Sequence, residues 1–123
     1  MSTGKTTVLI EDDRGTFRDP AVHYDGKTIV FSYRKGGTTP FHLYEIQSDG
    51  SGLRQLTFGI YDDIEPCWLP NDSIMFVSGR ARRYVNCWVT QVAMLYSCDR
   101  RGQNIRQISA NVEHDNTPCV LPD

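Results

Sequence analysis

The sequence contains an internal repeat, in which residues 43–70 align without a gap with residues 95–122. Ten of the 28 aligned positions are identical, and others are conservative, such as Leu53 with Ile105. Such a repeat constrains the fold strongly, because each copy forms the same supersecondary unit and buries its apolar surface against its neighbours. The chain is therefore predicted to be a repeat protein. The identical residues are Leu43, Tyr44, Gly50, Arg54, Gln55, Asp63, Pro66, Cys67, Leu69 and Pro70.

Each copy begins with a predicted β-hairpin. In the first copy, two short apolar and polar runs at 43–46 and 53–57 flank Asp49-Gly50, and the second copy keeps the glycine as Gly102. Asp-Gly between two such runs is typical of a type I′ turn, whose central residues need positive φ angles. A two-stranded hairpin is therefore expected at the start of each copy.

A polar crossing follows each hairpin, with an aspartate three residues before a proline. The pairs are Asp63 with Pro66 and Asp115 with Pro118. Proline cannot donate a hydrogen bond to a strand ladder, so it suits the first residue of a strand. We therefore predict that both prolines open strands, and that these four residues are structural repeat positions.

Tracing the strands between crossings gives four per unit. Four-stranded antiparallel units repeated every 40 to 50 residues are typical of β-propeller blades. The predicted fold is all-β: a propeller fragment of two four-stranded blades plus the first strand of a third, each burying its faces against neighbours. The predicted parts are an N-terminal tail and leading strand at 1–18, blade 1 at 19–61, blade 2 at 62–114 with an insertion at 81–94, and the start of a third blade at 115–123.

Composition limits the classes of partner. The net charge of −2 gives no reason to expect binding to nucleic acid or to anionic membranes. No run reaches the roughly 18 apolar residues of a membrane span, and no signal peptide is visible. No cofactor motif is found, including Cys-x-x-Cys-His, so no cofactor is expected.

The four cysteines are interpreted as free buried thiols, with a bridge between Cys87 and Cys98 as the alternative.

The second repeat resembles the TolB-type propeller repeat. The resemblance rests on Pro66-Cys67-Trp68-Leu69-Pro70, Ile74-Met75-Phe76-Val77-Ser78-Gly79-Arg80, Leu95-Tyr96 and Arg106-Gln107-Ile108-Ser109. It implies a propeller scaffold and an extracytoplasmic or periplasmic location, although a cytoplasmic one stays open. The sequence departs from the pattern at Asn71-Asp72, which stands in place of Asp-Gly, and in the long insertion.

A narrower resemblance is to the propeller domain of bacterial proteins similar to the hydrazine synthase alpha subunit. It rests on residues 18–37, 61–66, 86–96 and 113–123. In that group the propeller is a middle domain, and the haem sites lie in other domains. The resemblance therefore implies the scaffold and not the redox chemistry.

Acidic residues cluster at both crossings: Asp62, Asp63 and Glu65 at the first, Glu113, His114 and Asp115 at the second. Such carboxylates could bind a hard cation at a channel mouth. They could equally fix the turn between blades by accepting backbone N–H bonds, as Asp side chains commonly do. Recurrence at equivalent positions favours the structural role. His114 stands where the first copy has Asp62, so a ligand or pH role is the alternative for it.

Arg34 and Arg80 each follow a serine near the end of a predicted strand. Their recurrence suggests ion pairs with the aspartates of the crossings. We therefore expect Arg80 to pair with Asp63, or Arg34 with Asp19.

The insertion is the least repeat-like segment and is therefore the predicted place for a protein contact. Arg82, Arg83, Tyr84 and Trp88 combine cations with large aromatic side chains, a composition enriched at protein interfaces. The alternative is a longer hairpin that packs on its own blade.

The sequence thus predicts a non-catalytic propeller segment that serves as a binding or assembly scaffold. Its expected partners are further blades or further copies of itself, with a protein partner at the insertion. The alternative is an accessory propeller of an enzyme, either a multihaem oxidoreductase or a propeller-gated hydrolase, whose catalytic residues lie outside this chain.

Overall fold

Short segments of alternating apolar residues form two four-stranded antiparallel sheets, in which each strand pairs with the next along the chain. The computed structural model describes residues 4–82, 91–111 and 114–121. Within these ranges there is no helix, and hence none that could cross a membrane. The first sheet contains β1 (Thr16–Val22), β2 (Thr28–Arg34), β3 (His42–Gln47) and β4 (Arg54–Gln55); the second contains β5 (Asp63–Trp68), β6 (Ile74–Ser78), β7 (Met94–Cys98) and β8 (Arg106–Gln107).

The two sheets repeat the same side-chain hydrogen bonds. The backbone N–H of Leu43 donates to Thr57 Oγ1 at 2.9 Å, and that of Leu95 donates to Ser109 Oγ at 3.0 Å. The Tyr44 hydroxyl donates to the Gln55 side chain. One repeat later, the Tyr96 hydroxyl donates to the Gln107 side chain in the same way. These bonds hold the fourth strand of each sheet, which has only two residues in its ladder.

The β3–β4 turn differs from the type I′ turn expected at Asp49-Gly50. Gly50 has a φ of 87°, but Asp49 is not among the residues with positive φ. The Gly50 N–H donates to the Gln47 carbonyl, and the Gln47 N–H donates to the Ser51 carbonyl. This is a three-residue loop that ends in a left-handed glycine, a common alternative to the two-residue turn. Gly102, with a φ of 79°, has the same place in the β7–β8 turn.

Pro66, predicted to open a strand, lies inside β5 instead, and Pro20 has the equivalent position in β1. Pro20 and Pro66 each sit in a bulge, where the pairing register shifts between Arg18 and Ala21 and between Ile64 and Cys67. The residue before each proline is left-handed, with a φ of 56° at Asp19 and 54° at Glu65. A bulge removes one residue from the ladder, so a residue without an N–H fits there.

The third copy of the crossing shows the same local backbone. Thr117, immediately before Pro118, has a φ of 45°, and its N–H bonds to Glu65 Oε2. Residues 114–121, which include the predicted strand opener Pro118, form no strand in the described part of the chain.

The main core lies between the sheets. Val30 and Leu43 of the first sheet meet Ile74, Phe76 and Cys98 of the second. β5 approaches β1, β2 and β3, whereas the later strands of the two sheets have no close backbone approach. The sheets therefore converge at their first strands, as blades around an axis do, and they also meet where the β7–β8 turn contacts Leu56 after β4.

The opposite face of the first sheet is covered by residues 4–15, the N-terminal strap. Leu9 and Ile10 of the strap pack against Phe31, Tyr33 and Ile46, which are nearly fully buried. The expected strand at Val8–Ile10 is not formed, since the strap lies on the face of the sheet and pairs with none of its strands. Asp12 anchors the strap: its carboxylate accepts bonds from the Tyr33 hydroxyl (2.6 Å) and from the N–H groups of Arg14, Gly15 and Gly36.

Gly102 provides a test of the contact between the β7–β8 turn and the first sheet. A Cβ atom on Gly102 would lie 2.1 Å from the Leu56 carbonyl oxygen, whereas one on Gly26 would meet nothing within 4 Å. Both glycines have positive φ, so Gly26→Ala should lose about 1–2 kcal/mol of unfolding free energy through backbone strain alone. Gly102→Ala should lose about 1–3 kcal/mol more, because the turn must move away from Leu56.

Urea unfolding of the two variants measures this difference. Equal losses in the two variants would show that the turn does not rest on the first sheet.

Candidate functional site

The first crossing holds a buried ion pair. Asp63 is fully buried, and Arg80 Nη2 lies 2.7 Å from both of its carboxylate oxygens. Arg80 Nε donates to Ser78 Oγ, and the guanidinium lies over the rings of Phe76 and Tyr96. The predicted Arg80–Asp63 pair is therefore present, and it joins the start of β5 to the end of β6.

The pKa of Asp63 reflects this environment. Burial alone would raise it, but the neighbouring His42, Ser78 and Arg80 side chains together lower it below its usual value. His42 Nδ1 lies 3.8 Å from Asp63 Oδ2, and this buried nitrogen has no hydrogen-bond partner within the described part of the chain. The carboxylate is thus ionised at neutral pH and neutralised by Arg80.

Both crossings are tied to the preceding loop in the same manner. Asp62 Oδ1 accepts the N–H of Phe41, and His114 Nδ1 accepts the N–H of Ala93. The next residue in each case donates its own N–H back, Asp63 to the Phe41 carbonyl and Asp115 to the Ala93 carbonyl. His114 thus forms the hydrogen bond that Asp62 forms in the first copy. The Asp115 carboxylate also accepts bonds from Ser109 and Asn111.

The acidic residues do not gather into a cation site in the described ranges, where no group of three potential ligands is found. Glu65 instead lies between copies of the crossing: Oε1 is 3.4 Å from Arg18 Nη2, and Oε2 contacts the N–H of Thr117. Its own N–H donates to Ser32 Oγ at 3.1 Å. Glu113 lies outside the described residues.

Arg34 does not correspond to Arg80. Phe17 in β1 and Asp63 in β5 have equivalent positions; Phe17 pairs with Tyr33, and Asp63 pairs with Ser78. Ser78 is therefore the equivalent of Tyr33, and Gly79 is the equivalent of Arg34. Arg34 donates to Thr16 Oγ1 at 3.0 Å and lies over the Phe41 ring. The alternative pair, Arg34 with Asp19, is wrong: Asp19 binds the adjacent Arg18 at 2.6 Å.

The insertion is described only at its ends. Arg82 has a φ of 55°, donates to the Tyr61 hydroxyl and lies over the Tyr61 ring. Arg83, Tyr84, Trp88 and Cys87 lie outside the described residues, so the predicted interface and the Cys87–Cys98 alternative are not described.

The cysteines in the described ranges carry free thiols. Cys98 is buried in the main core, and this burial raises its pKa to about 12. Cys67 is partly buried, and burial followed by the proximity of Cys119 raises its pKa as well. Cys119 is exposed, which differs from the expectation of buried thiols.

A polar cluster that the sequence analysis missed joins three turns. His23 is buried; its Nε2 lies 2.7 Å from Asp72 Oδ1, and its Nδ1 accepts the N–H of Asp25. The His23 ring packs edge-on against Trp68, and Arg100 lies over the other part of that indole. Hydrogen bonds from the backbone N–H of Lys27 and then from that of Thr28 lower the pKa of Asp25 to about 2.

The cluster holds the two sheets together at one edge. Trp68 Nε1 donates to the Ala21 carbonyl, and Arg100 Nη2 donates to Thr28 Oγ1. No repeat signal could reveal it, because its residues occur at different positions of the two copies. The presence of a histidine beside a predicted turn was the one hint in the sequence.

The apolar groove of the first sheet is the second missed feature. It has a volume of about 290 Å³ and lies between the strap and the β1 edge of the sheet. Its lining is almost wholly apolar, and Phe17 is 37% exposed there. The lining residues are Leu9, Ile10, Phe17, Arg18, Pro20, Ile29, Phe31 and Ile46.

The buried pair predicts a specific dependence of stability on pH. Asp63→Asn should cost about 3–5 kcal/mol of unfolding free energy at pH 7, because it leaves Arg80 without its charge partner. The folded-state pKa of Asp63 is lowered, so its contribution is complete above the unfolded value of 3.8 and is lost as the pH falls towards the folded value. The difference between variant and wild type should therefore shrink below pH 4.

The matched control is Asp19→Asn, in which the pair is exposed and asparagine tolerates the left-handed backbone. It should cost less than about 1 kcal/mol. Urea unfolding between pH 2 and pH 7 tests both variants; a constant Asp63→Asn difference over that range would contradict the assignment.

Comparison with known proteins adds two findings. A structure of TolB from Agrobacterium tumefaciens superposes with a TM-score of 0.67 and 24% sequence identity, over 85% of this chain and 37% of that one. The hydrazine synthase subunit alpha of Kuenenia stuttgartiensis is 39% identical over 59 residues, which is 46% of this chain and 7% of that subunit. No family model matches the sequence.

This chain therefore spans a small part of both proteins. The superposition agrees with the two antiparallel sheets and their convergence at the first strands. The chain has the fold of a segment of a TolB-like β-propeller.

Proposed function

We propose that this chain is a non-catalytic propeller segment that acts as an assembly scaffold, by presenting sheet faces on which further blades dock. The observation that carries the proposal is the recurrence of one docking surface. The second sheet docks on the first through Ile74, Phe76 and Cys98. The first sheet carries Ile29, Phe31 and Ile46 at the equivalent positions of its opposite face.

The two surfaces differ in how far they are covered. Ile74, Phe76 and Cys98 are buried by the neighbouring sheet. Among the described residues, the equivalent face of the first sheet is covered by the strap, which leaves the apolar groove beside Phe17 and Ile29. Since apolar grooves of this kind mark interaction sites, the face is suited to a further sheet.

The charged residues of the crossings support a structural role. Asp63 is neutralised by Arg80, and Glu65 is bound to Arg18 and Thr117. These side chains are committed to contacts within and between the repeats.

Arg82, stacked on Tyr61 at the start of the insertion, remains our proposed contact for a protein partner. The resemblance to TolB-type repeats supports an extracytoplasmic location.

A second candidate is favoured by the identity with hydrazine synthase subunit alpha. In this case the segment would be the accessory propeller of an oxidoreductase, whose redox groups lie outside this chain. Cys-x-x-Cys-His motifs in the coding sequence on either side would support this candidate, and further blades without such motifs would support the plain scaffold.

The docking face can be tested with an apolar fluorescent dye. We expect saturable binding of one dye per chain, because the groove is apolar and open beside Phe17. Phe17→Glu should weaken the binding at least tenfold by placing a charge in the groove. Val22→Glu is the matched control, since Val22 is an exposed residue of the same strand and does not line the groove.

Unfolding curves of both variants would establish that they fold. Absence of dye binding by the wild type, or equal binding by the two variants, would overturn the docking role.

A further inference from the structure

Equivalent arginines of the two sheets differ in their partners. Arg54 of β4 lies opposite Glu45 of β3, and Arg106 of β8 lies opposite Ser97 of β7. In the first sheet, Arg54 Nη2 is 2.7 Å from Glu45 Oε1. In the second sheet, Ser97 carries no charge, and no carboxylate in the described ranges forms an ion pair with Arg106. The second copy thus keeps the cation of the pair and lacks its anion.

A cavity of about 270 Å³, the turn pocket, lies beside the β7–β8 turn where this unpaired arginine is found. The hydroxyls of Ser73 and Ser97 in its wall have no hydrogen-bond partner among the described residues. A guanidinium together with two hydroxyls is a set of donors that suits a carboxylate. The lining residues are Ser73, Ser97, Cys98, Asp99, Asn104 and Arg106.

The charges around the turn pocket also differ from those of the first copy. Residues 97–106 carry three arginines and one aspartate, a net charge of +2. The equivalent residues 45–54 carry one glutamate, one aspartate and one arginine, a net charge of −1. The second copy therefore attracts an anion to the place where the first copy supplies its own.

Asp99 limits the charge of that anion. Hydrogen bonds from the Gln103 N–H, then from the Asn104 side chain and the Arg101 N–H, lower the pKa of Asp99 below its usual value. Asp99 is therefore ionised at neutral pH in the wall of the turn pocket. A second negative charge on a ligand would be repelled, so a singly charged anion is favoured over phosphate or a dicarboxylate.

We propose that the turn pocket binds a small aliphatic monocarboxylate, whose carboxylate accepts hydrogen bonds from Arg106 and from the hydroxyls of Ser73 and Ser97. The ligand would take the place that the Glu45 side chain has beside Arg54 in the first copy. The proposal goes beyond the scaffold role, because the turn pocket and the apolar groove of the first sheet share no residue.

Propionate is a suitable probe, since it has the atoms of a glutamate side chain beyond Cα. Sodium propionate would be titrated into the full chain, with sodium chloride keeping the ionic strength constant, and ¹⁵N NMR would follow the arginine Nε–H signals. We expect a saturable shift at Arg106 with a dissociation constant in the millimolar range, because exposed ion pairs are weak. Arg101 is the internal control, since it is exposed in the same turn and does not line the turn pocket.

Three variants test the assignment. Ser97→Glu should weaken propionate binding about tenfold, because a carboxylate attached to the chain then competes for Arg106 at high effective concentration. Arg106→Gln should also weaken it about tenfold, by removing the charged donor. Arg101→Gln is the matched control and should bind propionate as the wild type does.

Urea unfolding would establish that each variant folds, and Arg106→Gln keeps the test decisive if Ser97→Glu does not, because Arg106 is exposed. The absence of a saturable shift at Arg106, or shifts of equal size at Arg101 and Arg106, would overturn the proposal. Undiminished binding by Arg106→Gln would overturn it as well.

Discussion

A sheet of four strands has two faces, and one sheet can cover only one face of its neighbour. This constraint determines most of the structure. The main core forms where Val30 and Leu43 meet Phe76, and it leaves the far face of each sheet without a sheet to cover it. The strap covers part of one far face, with Asp12 holding it in place through four hydrogen bonds. Residues 114–121 lie beside the other sheet, where Thr117 contacts Glu65.

The repeat made much of this fold predictable. Two copies of one pattern imply two copies of one sheet, and the four-strand order followed from that pattern. The Arg80–Asp63 pair is also present, although the recurrence of Arg34 and Arg80 from which we expected it is not. The positions of the prolines did not follow. A left-handed backbone at Glu65 or Thr117 is unfavourable for those residue types, so no local preference could place the bulge there. The tertiary contacts of Glu65 with Arg18 and Ser32 stabilise that backbone instead.

The candidate sites, like the fold, were predictable from the sequence only in part. Matching Arg34 with Arg80 by the serine before each failed, because the bulges and turn lengths shift the register by one residue between the copies. Where the second sheet has Asp63 beside Ser78, the first has Phe17 stacked on Tyr33 at 4.5 Å. The first sheet thus has an aromatic pair where the second has a charged and a polar residue, and Phe17 of that pair lines the apolar groove. The His23 cluster lay beyond sequence reasoning for another reason: it joins turns 49 residues apart, from His23 to Asp72.

The repeated hydrogen bonds have a consequence for how chains of this kind change length over time. The bonds of Leu43 with Thr57 and of Leu95 with Ser109 lie within one unit each and recur at the same position in both. Duplication or loss of one entire unit in the gene would therefore leave the bonds inside each remaining unit intact, and would change the number of blades. A single-codon deletion in a strand that pairs without a bulge, such as β3, would instead shift the pleat and turn the apolar side chains to the wrong face. We therefore expect related proteins to have gained and lost such repeats as whole units.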